Sequence, residues 1–274
     1  MLQLVVPAYN EQDRLPRTLR ELRRFVRAHR GTLGEVEVVV VDNASTDRTA
    51  DVAREADSVA LPVRVVTCRV RGKGAAVAAG VAATDADVVG FLDADGATDN
   101  TALLEGLRRL ALGAHVAVGS RAADGSHAQA RHSALRENGA RRYRELTARI
   151  VPGVADTQCG FKLFDGDLAR AVFAELRTTG FSFDVEVLAR CQIAGASVVE
   201  FPVQWVDVPG STFEPLRHGP ASFWALATIS RRLRPLRVAA AGLAAASAVP
   251  ALHAHERPAG APSLALVGGT AVEA

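Results

Sequence analysis

The chain has 274 residues, 49% hydrophobic and 23% charged, with a formal net charge of +2. That length buries the core of one ordinary α/β domain; the composition excludes a disordered or collagen-like polymer, and the near-balanced charge gives no ground for a nucleic-acid partner. Three widely spaced cysteines (Cys68, Cys159 and Cys191) form no CxxC pair, which sets aside a structural zinc and a disulfide framework and makes a reducing, cytoplasmic setting the default.

In chain order, residues 2–6 read as a strand that starts at once, leaving no room for a signal peptide. Residues 11–29 follow as a helix with Leu15, Leu19, Leu22, Phe25 and Val26 on one face. Residues 35–41 read as a buried strand. Residues 46–56 form a helix with Asp near its start, where the helix dipole favours it. Strands at 63–67, 87–92 and 115–119 alternate with helices at 74–82 and 98–110. This βαβα order predicts an α/β fold, a mostly parallel sheet with helices on both faces.

The second half is less regular. Residues 121–149 hold seven arginines and two histidines against three acids, first as a Gly/Ser/His loop and then as a helical pattern. Residues 156–165 pass from polar to apolar, 183–194 look helical, and 196–201 form a strand closed by Pro202. From Arg231 the composition changes to a basic cluster (Arg231, Arg232, Arg234, Arg237), an Ala/Leu/Val stretch at 238–252, and a Pro/Gly/Ala tail. The stretch is shorter than the ~20 residues a membrane span needs. It reads either as a disordered tail or as a peripheral membrane contact. The organisation expected is therefore one domain over 1–230, with the tail at 231–274. Trp205 and Trp224 read as packing residues, with lipid contact an alternative for Trp224 ahead of the arginine cluster.

The most informative segment is Val88-Val89-Gly90-Phe91-Leu92-Asp93-Ala94-Asp95-Gly96, an apolar run that ends in two carboxylates one residue apart. Alternation along a strand points Asp93 and Asp95 the same way at its carboxyl end, where open α/β sheets bind ligands. Two hard oxygens there suit Mg²⁺ or Mn²⁺, which takes its other ligands from a substrate diphosphate and water. Solvated turn aspartates are the bland alternative. The chain also keeps only two lysines, Lys73 and Lys162, among its 32 lysines and arginines. A retained lysine suits a place that needs a compact ammonium. Cys159 reads as a small buried thiol rather than a nucleophile, having no histidine near it in sequence.

Taken together these motifs resemble glycosyltransferase family 2, which implies the GT-A fold with its Rossmann-like sheet. Val6-Pro7-Ala8-Tyr9-Asn10-Glu11 is similar to that family's first strand and turn, which implies nucleotide contacts at Pro7, Tyr9 and Glu11. Val40-Val41-Asp42-Asn43-Ala44-Ser45-Thr46-Asp47 resembles its second, whose leading acid, here Asp42, bonds uracil or ribose. The family more often has Asp-Gly where this chain has Asn43-Ala44. Gly72-Lys73-Gly74 resembles the Gly-Lys-Gly turn at a helix head, where N–H groups and the Lys73 ammonium meet the nucleotide sugar. For Asp93-Ala94-Asp95 the likeness implies metal on Asp95, with Asp93 near ribose or metal-bound water and Ala94 along the same nucleotide.

The closer resemblance is to the dolichyl- or polyprenyl-phosphate glucosyltransferase branch. It is carried by Asp93-Ala94-Asp95-Gly96-Ala97-Thr98, Gly119-Ser120-Arg121, the block Asp156-Thr157-Gln158-Cys159-Gly160-Phe161-Lys162-Leu163-Phe164, and Phe183-Asp184-Val185-Glu186. It spans roughly residues 2–213, with a nucleotide-sugar half at 1–120 and an acceptor half at 121–230. In place of the branch's Gly-Ser-Lys the chain has Gly210-Ser211-Thr212, and it begins without the N-terminal membrane helix of the eukaryotic members. The resemblance implies metal-dependent, inverting transfer of a hexose (glucose, by branch) from a UDP-sugar to a polyprenyl or dolichyl phosphate at the cytoplasmic membrane face.

Such a reaction needs the leaving diphosphate neutralised. An ionised lipid phosphate attacks without a strong base, so the acceptor needs cations: Arg121, Arg131 and Lys162, with Gln158 beside them. A soluble hydroxyl acceptor, such as a small metabolite or glycan, would instead need a base. The resemblance then points to Asp184, with Glu186 second and helix N-capping as the structural alternative for Asp184. A nucleotidyltransferase fits poorly, because the first turn, Ala8-Tyr9-Asn10-Glu11, is acidic and lacks glycine.

Overall fold

A computed structural model describes residues 1–129, 134–208 and 215–247. Its first half alternates strand and helix: β1 (Leu2–Ala8), α1 (Leu15–Ala28), α2 (Arg30–Leu33), β2 (Val36–Asp42), α3 (Thr49–Glu55), β3 (Val63–Thr67), α4 (Lys73–Ala82), β4 (Val88–Leu92), α5 (Ala102–Ala111) and β5 (Val116–Ser120). The second half adds β6 (His127–Gln129), α6 (Ala134–Ile150), β7 (Phe161–Asp165), α7 (Gly166–Ala174), α8 (Phe183–Ile193), β8 (Val198–Pro202), β9 (Gln204–Val206) and α9 (Pro215–Ser247).

Seven strands form one sheet in the order β3-β2-β1-β4-β7-β5-β8. All neighbours are parallel except β7, which runs antiparallel to both β4 and β5. The largely apolar runs of β1 and β2, broken by Gln3 and Glu37, arise because both sheet faces are covered. Val5, Val39, Val41, Val89 and Phe91 pack under α4, α7, α8 and α9 on one side, and Leu4, Val6, Val38 and Val40 pack under α1 and α5 on the other. On α1 the expected stripe of Leu15, Leu19, Leu22 and Val26 is the buried one.

Three features depart from the expected pattern. The 156–165 segment contains a sheet strand, β7, whose Phe161, Lys162, Leu163 and Phe164 are all buried. A short parallel pair, β6 with β9, sits beside the main sheet and places Trp205. The expected boundary after residue 230 falls inside α9, so residues 231–247 continue a helix rather than opening a tail. Leu226, Ile229 and Leu233 seat that helix in the core. Among the described residues, no helix is long and apolar enough to cross a membrane.

Candidate active site

The carboxyl ends of β1, β2 and β4 lie side by side, and the loops leaving them build the site. After β1, Asn10 takes a left-handed turn (φ 53°), and its side-chain oxygen accepts from Thr46 N at 2.9 Å. Tyr9 is exposed on the rim and Pro7 lies within β1. After β2, Asp42 accepts from Ser45 N at 3.2 Å. Asn43 reaches across to the β3–α4 loop, donating to the Cys68 and Val70 carbonyls and accepting from Gly72 N at 2.8 Å. The Asn43-Ala44 departure therefore has a structural use at Asn43 and a cost at Ala44. Ala44 holds φ 56°, a conformation in which Cβ crowds the following carbonyl. Ala44→Gly is expected to stabilise the fold by about 0.5–1 kcal/mol, seen as a higher urea midpoint with unchanged slope.

The carboxylates follow β4. Asp93 donates its N–H to Gly160 O at 3.1 Å, and its Oδ1 pairs with Lys73 Nζ at 2.6 Å. A Cβ on Gly160 would sit 2.0 Å from Asp93 Oδ2, so a side chain there would displace the Asp93 carboxylate. Asp95 accepts from Ala97 N at 3.0 Å. Burial, then the charge of Asp93, pushes its carboxyl above the usual carboxylate range. Glu11 is raised too, by burial first, with Asp95 and Asp93 adding repulsion against its pairing with Arg14. Ala94 between them is buried, and its carbonyl accepts from Thr18 Oγ1 at 2.7 Å.

Asp95, raised by burial and by the charge of Asp93 and felt in turn by Glu11, offers a carboxylate that suits a divalent cation. Among the described residues no group of three or more His, Cys, Asp or Glu is disposed to hold a metal by itself. That donor set fits Mg²⁺ or Mn²⁺, which completes its shell from phosphate oxygens and water, and does not fit an ion that needs a full protein cage.

Lys73 heads α4. Burial works against its charge, yet Asp93, Asp184 and Asp95 together hold the ammonium above the usual lysine value. The flanking glycines serve packing. A Cβ on Gly72, at φ 128°, would lie 2.2 Å from Thr179 O, and one on Gly74 would lie 2.5 Å from Phe183 Cβ. The α4 head is therefore pressed against the 178–183 segment, and Thr179 O already accepts from Ala75 N at 3.2 Å.

Beneath this floor lies a second ion pair. Lys162 Nζ donates to Asp184 Oδ1 at 2.6 Å and to Cys159 O at 2.7 Å, and sits 5.0 Å from the Phe91 ring centroid. Lys162 is 0% exposed and Asp184 2%. Burial raises the Asp184 carboxyl despite Lys162 and Lys73. Lys162 is thus enclosed by protein partners and presents no exposed face. One expectation is corrected here. Asp184 is no cap, since Ser182 holds the N-cap position of α8.

Arg121 grips Asp156 through Nε and a terminal nitrogen at 2.7 and 2.8 Å, and its backbone N–H bonds the same carboxylate. Its guanidinium lies 5.4 Å from the Trp205 ring centroid and stays 32% exposed. Burial opposes its charge, but Asp156 outweighs this and raises its pKa. Gln158 carries a buried Nε2 with no hydrogen-bond partner, the one such side-chain atom among the described residues. Cys159 is pushed up to about 11 by burial, which keeps the thiol protonated. Glu186 is committed elsewhere: it accepts from Thr178 Oγ1, Arg190 and Arg232, tying α8 to α9. Arg131 and Gly210-Ser211-Thr212 lie outside the described residues. The pairing of Arg121 with Asp156 and the placing of Trp205 beside it had no signal in sequence spacing, since the partners stand 35 residues apart and on separate elements.

A family model described as glycosyl transferase family 2 matches residues 3–173. The chain is 33% identical over 253 residues to human dolichyl-phosphate beta-glucosyltransferase, covering 86% of this chain and 75% of that one. It is 35% identical over 244 residues to the Drosophila melanogaster protein of the same name, covering 85% and 73%. Among solved structures, glucosyl-3-phosphoglycerate synthase from Mycobacterium tuberculosis with UDP superposes with a TM-score of 0.63 at 19% identity, over 85% of this chain and 79% of that one. Mannosyl-3-phosphoglycerate synthase from Rubrobacter xylanophilus gives 0.65 at 18% identity, over 96% and 78%.

Proposed function

Because this chain belongs to glycosyl transferase family 2, as a glycosyltransferase of the dolichyl-phosphate beta-glucosyltransferase branch, we propose that it moves glucose from UDP-glucose to a polyprenyl or dolichyl phosphate with Mg²⁺ or Mn²⁺. A protein of the same fold has been crystallised with Mg²⁺ and UDP, and with Mn²⁺ and UDP-glucose. The reading includes action on membrane lipid from the cytoplasmic side.

One observation carries the choice of acceptor. The candidate base, Asp184, is enclosed and held by Lys162 at 2.6 Å, so this carboxylate does not stand free to take a proton from a hydroxyl. A phosphate acceptor is already ionised near neutral pH. Its oxygen attacks C1 of the sugar from the face opposite the diphosphate, the C1–oxygen bond to UDP breaks, and one inversion gives a beta product from an alpha-linked donor.

The chain's own residues then have separate tasks. Asp42 and the Tyr9–Glu11 turn hold the nucleoside. Asp93 and Asp95 hold the metal, which when bound neutralises charge on the leaving diphosphate. Lys73, set between Asp93 and the floor, fixes that carboxylate's direction. Arg121 and Gln158 face the acceptor side, where the unpaired N–H of Gln158 waits for a sugar or phosphate oxygen. Lys162 and Asp184 position the floor.

The test is transfer of labelled glucose from UDP-glucose to a short-chain polyprenyl phosphate, with Mg²⁺ or Mn²⁺ and a chelated control. Metal-dependent label in the lipid phase is expected. Label found only as free glucose would overturn the acceptor, and transfer that survives full chelation would overturn the metal.

A further inference from the structure

Helix α9 buries Leu226, Ile229 and Leu233 and turns its other side outward. Trp224, Ala227, Arg231, Arg234 and Val238 recur there at three- and four-residue spacing, and all five are exposed, Trp224 at 74% and Val238 at 67%. Ala227, Ser230, Arg231, Arg234, Arg237 and Val238 line an open groove of about 430 Å³. Arg237 is tied to Ile150 O and Arg232 to Glu186. Arg231 and Arg234 have no acidic partner among the described residues.

The charge is one-sided. Residues 215–247 contain five arginines and no acid, and the adjoining α6 contains five arginines against two glutamates. Arg232 and Arg237 are used by the fold, while Arg231 and Arg234 make no ion pair among the described residues. An exposed indole beside unpaired arginines, with small apolar residues beyond, matches the headgroup layer of a bilayer, where cations meet phosphate and the ring sits at the polar boundary.

We infer that the outward face of α9 is a docking surface for an anionic phospholipid bilayer, with a lipid phosphate held in the groove between Arg231 and Arg234. The opposite, inward side of α9 is tied to the elements that carry the site. Ser182, the N-cap of α8 two residues before Asp184, accepts from Tyr143 of α6 at 2.9 Å and donates to Ser222 O of α9 at 3.3 Å. Docking therefore holds the enzyme at the lipid surface without a membrane-spanning helix among the described residues. The inference stands on the α9 face alone and does not depend on the sugar or on the identity of the acceptor.

The experiment is co-sedimentation of the full chain with phosphatidylglycerol–phosphatidylcholine vesicles and with phosphatidylcholine vesicles, both free of UDP-sugar and polyprenyl phosphate. Binding to the anionic vesicles alone is expected, lost at high salt, with a blue shift in tryptophan emission that Trp224→Phe removes. The Arg231→Gln/Arg234→Gln double variant, whose fold is checked by circular dichroism, should bind roughly thirtyfold more weakly, the factor for two cations near an anionic leaflet. Equal binding by the double variant, or equal binding to both vesicle types, would overturn the assignment. So would displacement by inorganic phosphate beyond that caused by chloride at the same ionic strength, which marks a free-phosphate site. Because neither substrate is present, docking can fail while glucosyl transfer stands, and the reverse.

Discussion

Asp95→Asn is expected to lower glucosyl transfer by roughly a thousandfold, the scale of removing one preorganised electrostatic contact to a developing charge. The change is nearly isosteric, and the amide oxygen keeps the bond from Ala97 N, so the loop after β4 holds its shape. What disappears is one negative charge facing the diphosphate. The same substitution should leave the protein as stable or more stable. In the folded state burial and Asp93 raise the Asp95 carboxyl, so its ionised form is disfavoured by folding above the ordinary carboxylate pKa. A neutral amide removes that penalty at pH 7. Turnover within tenfold of wild type, measured as kcat/KM under saturating Mn²⁺, would remove Asp95 from the metal site; a melting temperature well below wild type would show a structural role instead.

Lys162→Met should destabilise the fold by about 3–5 kcal/mol, because it leaves the Asp184 carboxylate buried and without its partner. Methionine fills a similar space beside Phe91, so little of the loss comes from a cavity. The pH dependence identifies the cause. Asp184 already titrates above the ordinary value of 3.8, chiefly through burial, and removal of Lys162 drives it further up. A raised acid binds its proton more tightly when folded, so folded stability falls as pH rises from 3.8 to the folded pKa and is then constant. The deficit of Lys162→Met is therefore largest at neutral pH and shrinks as the solution is acidified. Urea denaturation at a series of pH values checks this, and a deficit independent of pH would assign the loss to packing. Adding Asp184→Leu should recover most of the stability, since an apolar pair needs no compensation.

The residues whose roles were legible in sequence are those whose neighbours along the chain reveal them. An apolar run ending in Asp93-Ala94-Asp95 already implies a strand inside the sheet with its carboxylates at the ligand end, and β4 has that place. The heptad-like stripe of α1 is legible for the same reason. Lys162 was harder, because its meaning lies 22 residues away in Asp184. One signal was present: a single lysine within Phe-Lys-Leu-Phe cannot be buried without a counter-charge. The antiparallel sense of β7 had no local mark, since periodicity reports burial and not direction. The length of α9 was hidden by Pro220 and Pro235 and by an alanine-rich composition, whereas the burial of Leu226, Ile229 and Leu233 is a tertiary fact.

The insertion of β7 between β4 and β5 also sets an order of events during synthesis. Strands β1 to β4 have their mutual partners once β4 is made, but the far edge of β4 pairs with β7 in the register Leu92 to Phe161 through Val88 to Asp165. That partner leaves the ribosome about seventy residues later, some 4–15 s at bacterial and eukaryotic elongation rates of about 5–20 residues per second. Through that interval the nascent chain presents an apolar strand, Val-Val-Gly-Phe-Leu, with an open ladder of N–H and C=O groups. The half of the molecule that holds the nucleotide is thus also the half that must be kept from self-association until the acceptor half arrives to close it.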